Sequence, residues 1–210
     1  MTDDSVVAAL VEAQERWSSS SYQDQQALLD VYQAERRLVA ARGEPWAERI
    51  ELPAWDVGAP LPHVISNGTR ADLICFAADP APWDGTSARS VSAADVDSRP
   101  LLQFTFYSCA SIKFGGPNDE GLDGHPLAGR GLAPYEAHIV HNSPWLAEED
   151  RIDAGHPSSH PGRLSHDLNH YLLAFHDEIF EALAERLEVR TGEGTISGWL
   201  HAAASAVITF

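Results

Sequence analysis

The residues that could do chemistry are concentrated in one part of the chain. Eight of the ten histidines lie between His125 and His176, where an even spread would give roughly two or three. The imidazole of histidine titrates near neutral pH and is also the commonest metal ligand in proteins. We therefore expect acid–base or metal chemistry in this part of the sequence.

A glycine-rich segment with two adjacent carboxylates leads into these histidines. It runs Gly115-Gly116-Pro117-Asn118-Asp119-Glu120, with His125 and Arg130 a few residues further on. If the two carboxylates point into one cleft, the pKa of one of them rises, and that group can act as a general acid or base. The guanidinium of Arg130 could bind a carboxylate or phosphate of a substrate. The alternatives are a turn with a solvated acidic tip and an ordinary surface ion pair.

A second candidate group comes from a predicted strand that ends in a turn. Between His170 and His176 the predicted strand has apolar residues on both faces, so we expect it to be buried on both faces. The two histidines are six residues apart, so they would share one face of that strand. Asp177 follows His176, and a carboxylate beside an imidazole fixes its tautomer, as in a catalytic dyad. The alternative is a turn that contains a hydrogen-bonded core histidine.

These observations predict a small cytoplasmic enzyme that uses histidine and carboxylate groups for acid–base catalysis on a small organic molecule. The reaction would be an elimination, isomerisation, cyclisation or hydrolysis. The candidate catalytic residues are His176, Asp177, His125, Asp119 and Glu120, and the candidate substrate-binding residues are Asn118, Arg130, Tyr135 and His170.

A metal site is the alternative that the histidine spacing raises. His156, His160, His166 and His170 follow the pattern H-x3-H-x5-H-x3-H, which invites a zinc interpretation. Prolines at positions 157 and 161 prevent a helix across the first pair, and neither an HExxH motif nor a pair of close cysteines is present. We therefore predict no metal and no other cofactor, with bound zinc as the alternative.

Charge and composition exclude several kinds of partner. The formal charge of -17 argues against binding the nucleic-acid backbone, which needs an excess of Lys and Arg. The same charge supports a second functional hypothesis, a non-catalytic acidic binding protein such as an immunity protein that blocks a basic toxin. No run approaches the roughly 18 apolar residues of a membrane span. The first residues lack a signal-peptide pattern, and two isolated cysteines suggest buried thiols, so we expect a cytoplasmic location.

The periodicity of the sequence predicts an α+β fold. Two helices within residues 1–43 would form a hairpin, with Gly43 as the stop, and a dimer through these helices is one expectation. Residues 44–210 would form a mainly antiparallel sheet, either a sandwich or an open barrel, that carries the histidines and carboxylates. Asn67-Gly68 predicts a tight hairpin, residues 77–100 a long surface loop, and residues 180–189 are ambiguous between helix and strand.

The order of short sequence blocks resembles that of a group of bacterial proteins described only as hypothetical. The blocks are GGPNDE, HPL, GL, Y, NSxW, HP and FHDxxFE, and the resemblance covers residues 113 to 186. The resemblance brings no established activity with it, so it implies no chemistry. It implies that the blocks belong to one site or one core. In similar sequences FHDxxFE looks like a strand that turns into another strand, which favours strand for residues 180–189.

Overall fold

The computed structural model describes residues 3–78, 91–157, 160 and 162–208 of the chain. It begins with two helices that pack on each other, α1 (Asp3–Ser19) and α2 (Gln25–Ala41). The carboxylate of Asp24 accepts hydrogen bonds from the backbone N–H groups of Gln26 and Ala27, so it caps α2. Gly43 adopts a positive φ of 66° after the last turn. The predicted hairpin and its glycine stop are confirmed.

The rest of the described chain folds into two antiparallel sheets. One is five-stranded in the order β1-β6-β7-β8-β5, and the other is four-stranded in the order β2-β3-β4-β9. The first contains β1 (Trp46–Ile50), β5 (Ser111–Gly115), β6 (Ala137–His141), β7 (Asn169–Ala174) and β8 (Ile179–Ala184). The second contains β2 (His63–Ser66), β3 (Arg70–Phe76), β4 (Arg99–Tyr107) and β9 (Arg186–Gly194). The α+β class predicted from the sequence is confirmed.

The main core lies between the two sheets, which makes the domain a sandwich. Phe104 and Phe106 of β4 face Leu173 of β7 and Phe180 of β8, and all four side chains are fully buried. Each such side chain contributes about 1.5–3 kcal/mol through the area it removes from water. Residues between these core positions on each strand point to the outer faces, where the functional groups lie.

The outer face of the five-stranded sheet is covered by a long segment between β5 and β6. This covering segment, residues 116–135, contains a short 3₁₀ helix, η1 (Asp119–Gly124). Its side chains Leu122, Leu127 and Leu132 pack on Leu172 and Ile179 of the sheet. The covering segment therefore holds its polar residues close to the outward-facing residues of β5, β7 and β8.

Two further helices, α3 (Pro144–Asp153) and α4 (Arg163–Asp167), cover the other end of the same face, where Leu146 and Leu168 pack on Leu183. The N-terminal hairpin is joined to this region through Arg36. Its guanidinium donates hydrogen bonds to the carbonyls of Ala47 and Gly131 at 2.8–3.1 Å. On the opposite side of the molecule, α5 (Ile196–Ile208) packs on β2 and β3 of the four-stranded sheet.

Some element boundaries differ from the sequence prediction. Residues 180–189 form two strands, so the interpretation as strand is confirmed and helix is excluded. The strand β7 ends at Ala174 because the chain turns there towards β8, so the prediction that His170 and His176 share one strand face is wrong. Of the predicted loop at residues 77–100, positions 79–90 lie outside the described residues. No helix in the described part of the chain is both long enough and apolar enough to cross a membrane.

Candidate active site

The structure separates the predicted site residues into two groups. Asp119, Tyr135 and His176 are in contact with one another. His125 and His170 instead line a cavity on the outer face of the five-stranded sheet, together with two residues that the sequence prediction did not select, Lys113 and Glu181. The first group lies at the β7–β8 turn, and the second surrounds the cavity.

Asp119, Tyr135 and His176 form a clasp that ties both ends of the covering segment to the turn between β7 and β8. The hydroxyl of Tyr135 donates a hydrogen bond to one carboxylate oxygen of Asp119. The other oxygen lies 3.2 Å from Nδ1 of His176. The backbone N–H of Asp119 also donates to the carbonyl of His176 at 2.9 Å. Tyr135 adopts a positive φ of 60°, which is unusual for a non-glycine residue, so this corner of the chain is held by its contacts.

The pKa values in the clasp are those of an ion pair. The pKa of Asp119 is lowered, first by the hydrogen bond from Tyr135 and then by the charge of His176. The pKa of His176 is raised by a hydrogen bond to its own backbone carbonyl and by the charge of Asp119. Burial and the hydrogen bond to Asp119 raise the pKa of Tyr135 to about 12. At moderately acidic pH the clasp thus contains a carboxylate between a neutral phenol and a protonated imidazole.

The other predicted residues of this region lie apart from the clasp or serve the backbone. Asp177 is exposed, and its carboxylate is 4.0 Å from Nδ1 of His176, so Asp119 takes the place predicted for Asp177 as the partner of that imidazole. The amide oxygen of Asn118 accepts from the backbone N–H of Gly121 and caps η1, and Glu120 is exposed. The cluster of carboxylates and amides here indicates a catalytic site from sequence alone, but helix caps require the same residue types.

The second group surrounds a cavity of about 400 Å³, called here the main cavity. Its titratable lining residues are His125 of the covering segment, His170 of β7, Glu181 of β8 and Lys113 of β5, with Arg130 at one side in an ion pair with Glu44 at 2.6 Å. The other lining residues are apolar: Pro45, Pro126, Leu127, Val140, Pro144 and Trp145. A mostly apolar cavity with a few convergent polar groups is the usual form of a small-molecule site.

His170 is buried and both of its ring nitrogens are engaged. Nδ1 lies 2.8 Å from the hydroxyl of Ser143, and Nε2 lies 2.8 Å from a carboxylate oxygen of Glu181. The same Ser143 oxygen accepts the backbone N–H of Leu146 at 3.1 Å, so it also caps α3. If Ser143 donates to Nδ1, a neutral ring carries its proton on Nε2 and donates it to Glu181. Every group in this chain of hydrogen bonds is then satisfied.

Glu181, which lines the main cavity, is held as a carboxylate. Burial alone would raise its pKa, but the hydrogen bond from His170 and the positive charge of Lys113 outweigh burial, and the net pKa is lowered. Antiparallel pairing explains its position. Glu181 lies directly opposite Lys113 on β5, and on β7 it lies opposite Leu172 and diagonal to His170. A glutamate on this strand can therefore reach both a histidine and a lysine.

Lys113 is the only lysine in the 210-residue chain. Its ammonium lies 3.8 Å from the ring centroid of Trp145 and 4.0 Å from the second carboxylate oxygen of Glu181. The first distance corresponds to a cation–π contact. The second is too long for a direct hydrogen bond. The ammonium thus keeps hydrogen-bonding capacity for a ligand.

His125 approaches the same groups from the covering segment. Its Nδ1 accepts the backbone N–H of Leu127 at 3.2 Å, so the neutral ring carries its proton on Nε2. Burial lowers the pKa of His125, which keeps the ring neutral near pH 7. An adjoining cavity of about 290 Å³ extends towards Gly116 and Pro117, and it shares three lining residues with the main cavity: His125, Lys113 and Glu181.

One residue of this site, Lys113, is distinctive in the sequence itself. A lysine that occurs once in a chain with 31 acidic residues is a distinctive residue, and Lys113 directly precedes the glycine-rich segment. The partnership of His170 with Glu181 and Ser143 could not be read from spacing, because it depends on the β7–β8 register and on where α3 begins.

The described residues contain no preformed metal site of three or more ligands. There, no group of three or more His, Cys, Asp or Glu side chains is arranged to hold a metal ion. His170, the last histidine of the spaced quartet, has both ring nitrogens in hydrogen bonds to Ser143 and Glu181.

The chain matches no protein-family model, no curated protein and no solved structure.

Proposed function

We propose that the main cavity is the active site of a cytoplasmic enzyme that acts on a small organic molecule by acid–base catalysis. The observation that carries this proposal is the convergence of Lys113, His125 and Glu181, three different titratable groups that line both the main and the adjoining cavity. The pKa values of His125 and Glu181 are shifted, and groups with shifted pKa values around an apolar cavity are typical of catalytic sites.

Each of the three groups suits one role in proton transfer. Glu181 is the general base, since its carboxylate stays ionised and His170 orients it. His125, neutral near pH 7, exchanges a proton at Nε2 with the substrate. Lys113 supplies the positive charge that stabilises an oxyanion formed when the base removes a proton or when water attacks a carbonyl. Elimination, isomerisation, cyclisation and hydrolysis all use this set of roles.

Ser143 and His170 support the base rather than attack the substrate. Ser143, His170 and Glu181 form a chain that resembles a catalytic triad, but Ser143 is only 6% exposed and is not among the residues that line the main cavity. Its oxygen also accepts the N–H of Leu146. A serine in that position caps a helix and orients an imidazole. Acid–base chemistry at Glu181 therefore fits the geometry better than a serine nucleophile.

The clasp serves the site by holding the covering segment. Asp119 and Tyr135 lie near the two ends of the segment that carries His125. Their contacts with His176 fasten that segment to the β7–β8 turn and so keep His125 over the sheet. In this proposal His176 is a positioning residue, and the residues that touch substrate are His125, Lys113 and Glu181.

The experiment is a search for turnover in a mixture of small metabolites. Wild-type protein is incubated with a metabolite extract, and mass spectrometry identifies compounds that are consumed or formed. We expect His125→Gln and Lys113→Met to lose this conversion by about 10²-fold or more, as for removal of a positioned acid–base or electrostatic group. The matched control is His166→Gln, since the His166 side chain is 88% exposed and lies on α4 outside the cavity.

Conversion that persists in both cavity variants would refute the proposal, and so would the absence of any wild-type conversion. In either case the acidic binding protein becomes the better hypothesis. It rests on the charge of -17 and requires a basic partner whose binding weakens with salt.

A further inference from the structure

The outer face of the four-stranded sheet contains a second set of buried polar residues, on the other sheet from the main cavity. Asp72 of β3 is 0% exposed, and its neighbours Gln103 and Thr105 on β4 are each 7% exposed. Burying a carboxylate in this way is costly unless it is fully hydrogen-bonded. A sheet face that could have been covered with apolar residues thus maintains a polar network.

That network holds one arginine directly. Asp72 accepts hydrogen bonds from Nε and Nη2 of Arg70 at 2.7 and 3.0 Å, a bidentate pair. It also accepts from Gln103 at 2.8 Å and from Thr105 at 2.6 Å. The carboxylate charge is therefore fully compensated within the network, and the side chains of Arg70 and Gln103 are fixed in position.

The network holds a second arginine through Gln103. The amide oxygen of Gln103 accepts a hydrogen bond from Nη2 of Arg190 at 2.8 Å, and the guanidinium lies 4.3 Å from the ring centroid of Trp199. No carboxylate within the described ranges forms an ion pair with Arg190. Arg190 is an exposed residue, and its orientation by Gln103 and Trp199 leaves its guanidinium accessible to a ligand.

Both arginines line a cavity of about 280 Å³, called here the arginine cavity. Its helix-side wall consists of small residues, Ala202, Ala203 and Ala206 of α5, which leave room above the polar floor. Glu188 also lines it, but Tyr107 donates a hydrogen bond to its carboxylate and Arg186 pairs with it, so its charge is compensated. The uncompensated charge at the cavity is the positive charge of Arg190.

We propose that the arginine cavity binds a small organic anion with a carboxylate or phosphate-ester group. The oxyanion would be held by the guanidinium of Arg190, whose planar set of N–H donors matches such groups. The apolar part of the ligand would lie against the alanines of α5. This site is on the other sheet from the proposed active site, so either proposal can be refuted without affecting the other.

The test uses phenyl phosphate, benzoate and inorganic phosphate as probes, with isothermal titration calorimetry of the full chain. We expect at least one of the two organic probes to bind once, with a Kd below about 1 mM, and inorganic phosphate to bind at least about tenfold more weakly, since it has no apolar part. The Arg190→Gln variant should weaken the organic probe by about tenfold or more, because a charge-assisted hydrogen bond is lost.

A second variant tests the cavity without changing its charge. Ala206→Leu adds a larger side chain to the helix-side wall and should also weaken binding about tenfold, through lost space. The matched control is Arg151→Gln, because Arg151 is 72% exposed and lies on α3. The proposal is overturned if neither organic probe binds, if inorganic phosphate binds as tightly as the organic probes, or if binding survives both cavity variants.

Discussion

The hydrogen bond between Ser143 and His170 should contribute measurably to the free energy of unfolding. Ser143→Ala removes two interactions at once, the cap on the N–H of Leu146 and the partner of Nδ1 of His170. Loss of a helix cap costs about 1 kcal/mol. A buried ring nitrogen left without a partner costs about 1–3 kcal/mol. The free energy of unfolding should therefore fall by about 2–4 kcal/mol in this variant.

A double-mutant cycle separates the two contributions. In a His170→Leu background no imidazole is present, so Ser143→Ala should cost only the cap, about 1 kcal/mol. The coupling between the two positions should then be about 1–3 kcal/mol. Urea unfolding followed by tryptophan fluorescence measures each variant, and the six tryptophans of the chain provide the signal.

Asp24→Ala serves as the matched control for the cycle. Asp24 also caps a helix with its side chain, but it caps α2, where its described hydrogen bonds do not involve His170. Its effect should add to that of His170→Leu within about 0.5 kcal/mol. If Ser143→Ala and His170→Leu are additive to the same precision, the Ser143–His170–Glu181 chain does not exist in solution and the orientation of Glu181 is unexplained.

Three further predictions concern the elements that support the site. Gly131→Ala should lower the free energy of unfolding in urea by more than about 3 kcal/mol. The reason is that φ of Gly131 is +85° and the added Cβ would lie 2.7 Å from a backbone oxygen. Gly68→Ala is the comparison: its φ is +83° but the added Cβ meets no atom within 4 Å, so it should cost only about 1–2 kcal/mol. Asp119→Asn should lower the raised pKa of His176 in an NMR titration. The stabilisation that comes from a raised histidine pKa is lost as pH rises through the folded-state pKa. The free energy of unfolding of this variant should therefore differ more from that of wild type at about pH 5.5 than at about pH 8. An unchanged pKa of His176 would contradict the clasp. Burial raises the pKa of Cys109 to about 11, so a thiol reagent at about pH 8 should modify it only after unfolding, and rapid modification of the native protein would contradict its burial.

Much of the fold could be predicted because it depends on local patterns. Leu102, Phe104 and Phe106 have the two-residue spacing that predicts a strand, and they lie in β4 with all three side chains in the core. Asn67-Gly68 predicted a tight turn, and Gly68 has a positive φ between β2 and β3. Such signals involve residues that are close in sequence, so they do not require knowledge of strand order.

The site was only partly predictable because its contacts join residues that are far apart in sequence. His125 and His170 both line the main cavity, and their grouping there with Glu181 and Lys113 depends on the β5–β8–β7 strand order. Along the chain, Glu181 follows His176 closely. The tight turn after Ala174 separates those two and sets the carboxylate beside His170 instead. Register of this kind is set by the whole sheet.

The most direct test of the proposed active site is the rate at which Glu181→Gln converts whatever compound the wild-type protein consumes from a metabolite extract. Glutamine can still accept the hydrogen bond from Nε2 of His170, so the variant removes the base with little change in packing. We predict a loss of about 10²–10⁴-fold in rate. The matched variant Glu148→Gln should keep the wild-type rate, since Glu148 is an exposed residue of α3. Equal rates for the two variants would contradict the assignment of Glu181 as the catalytic base.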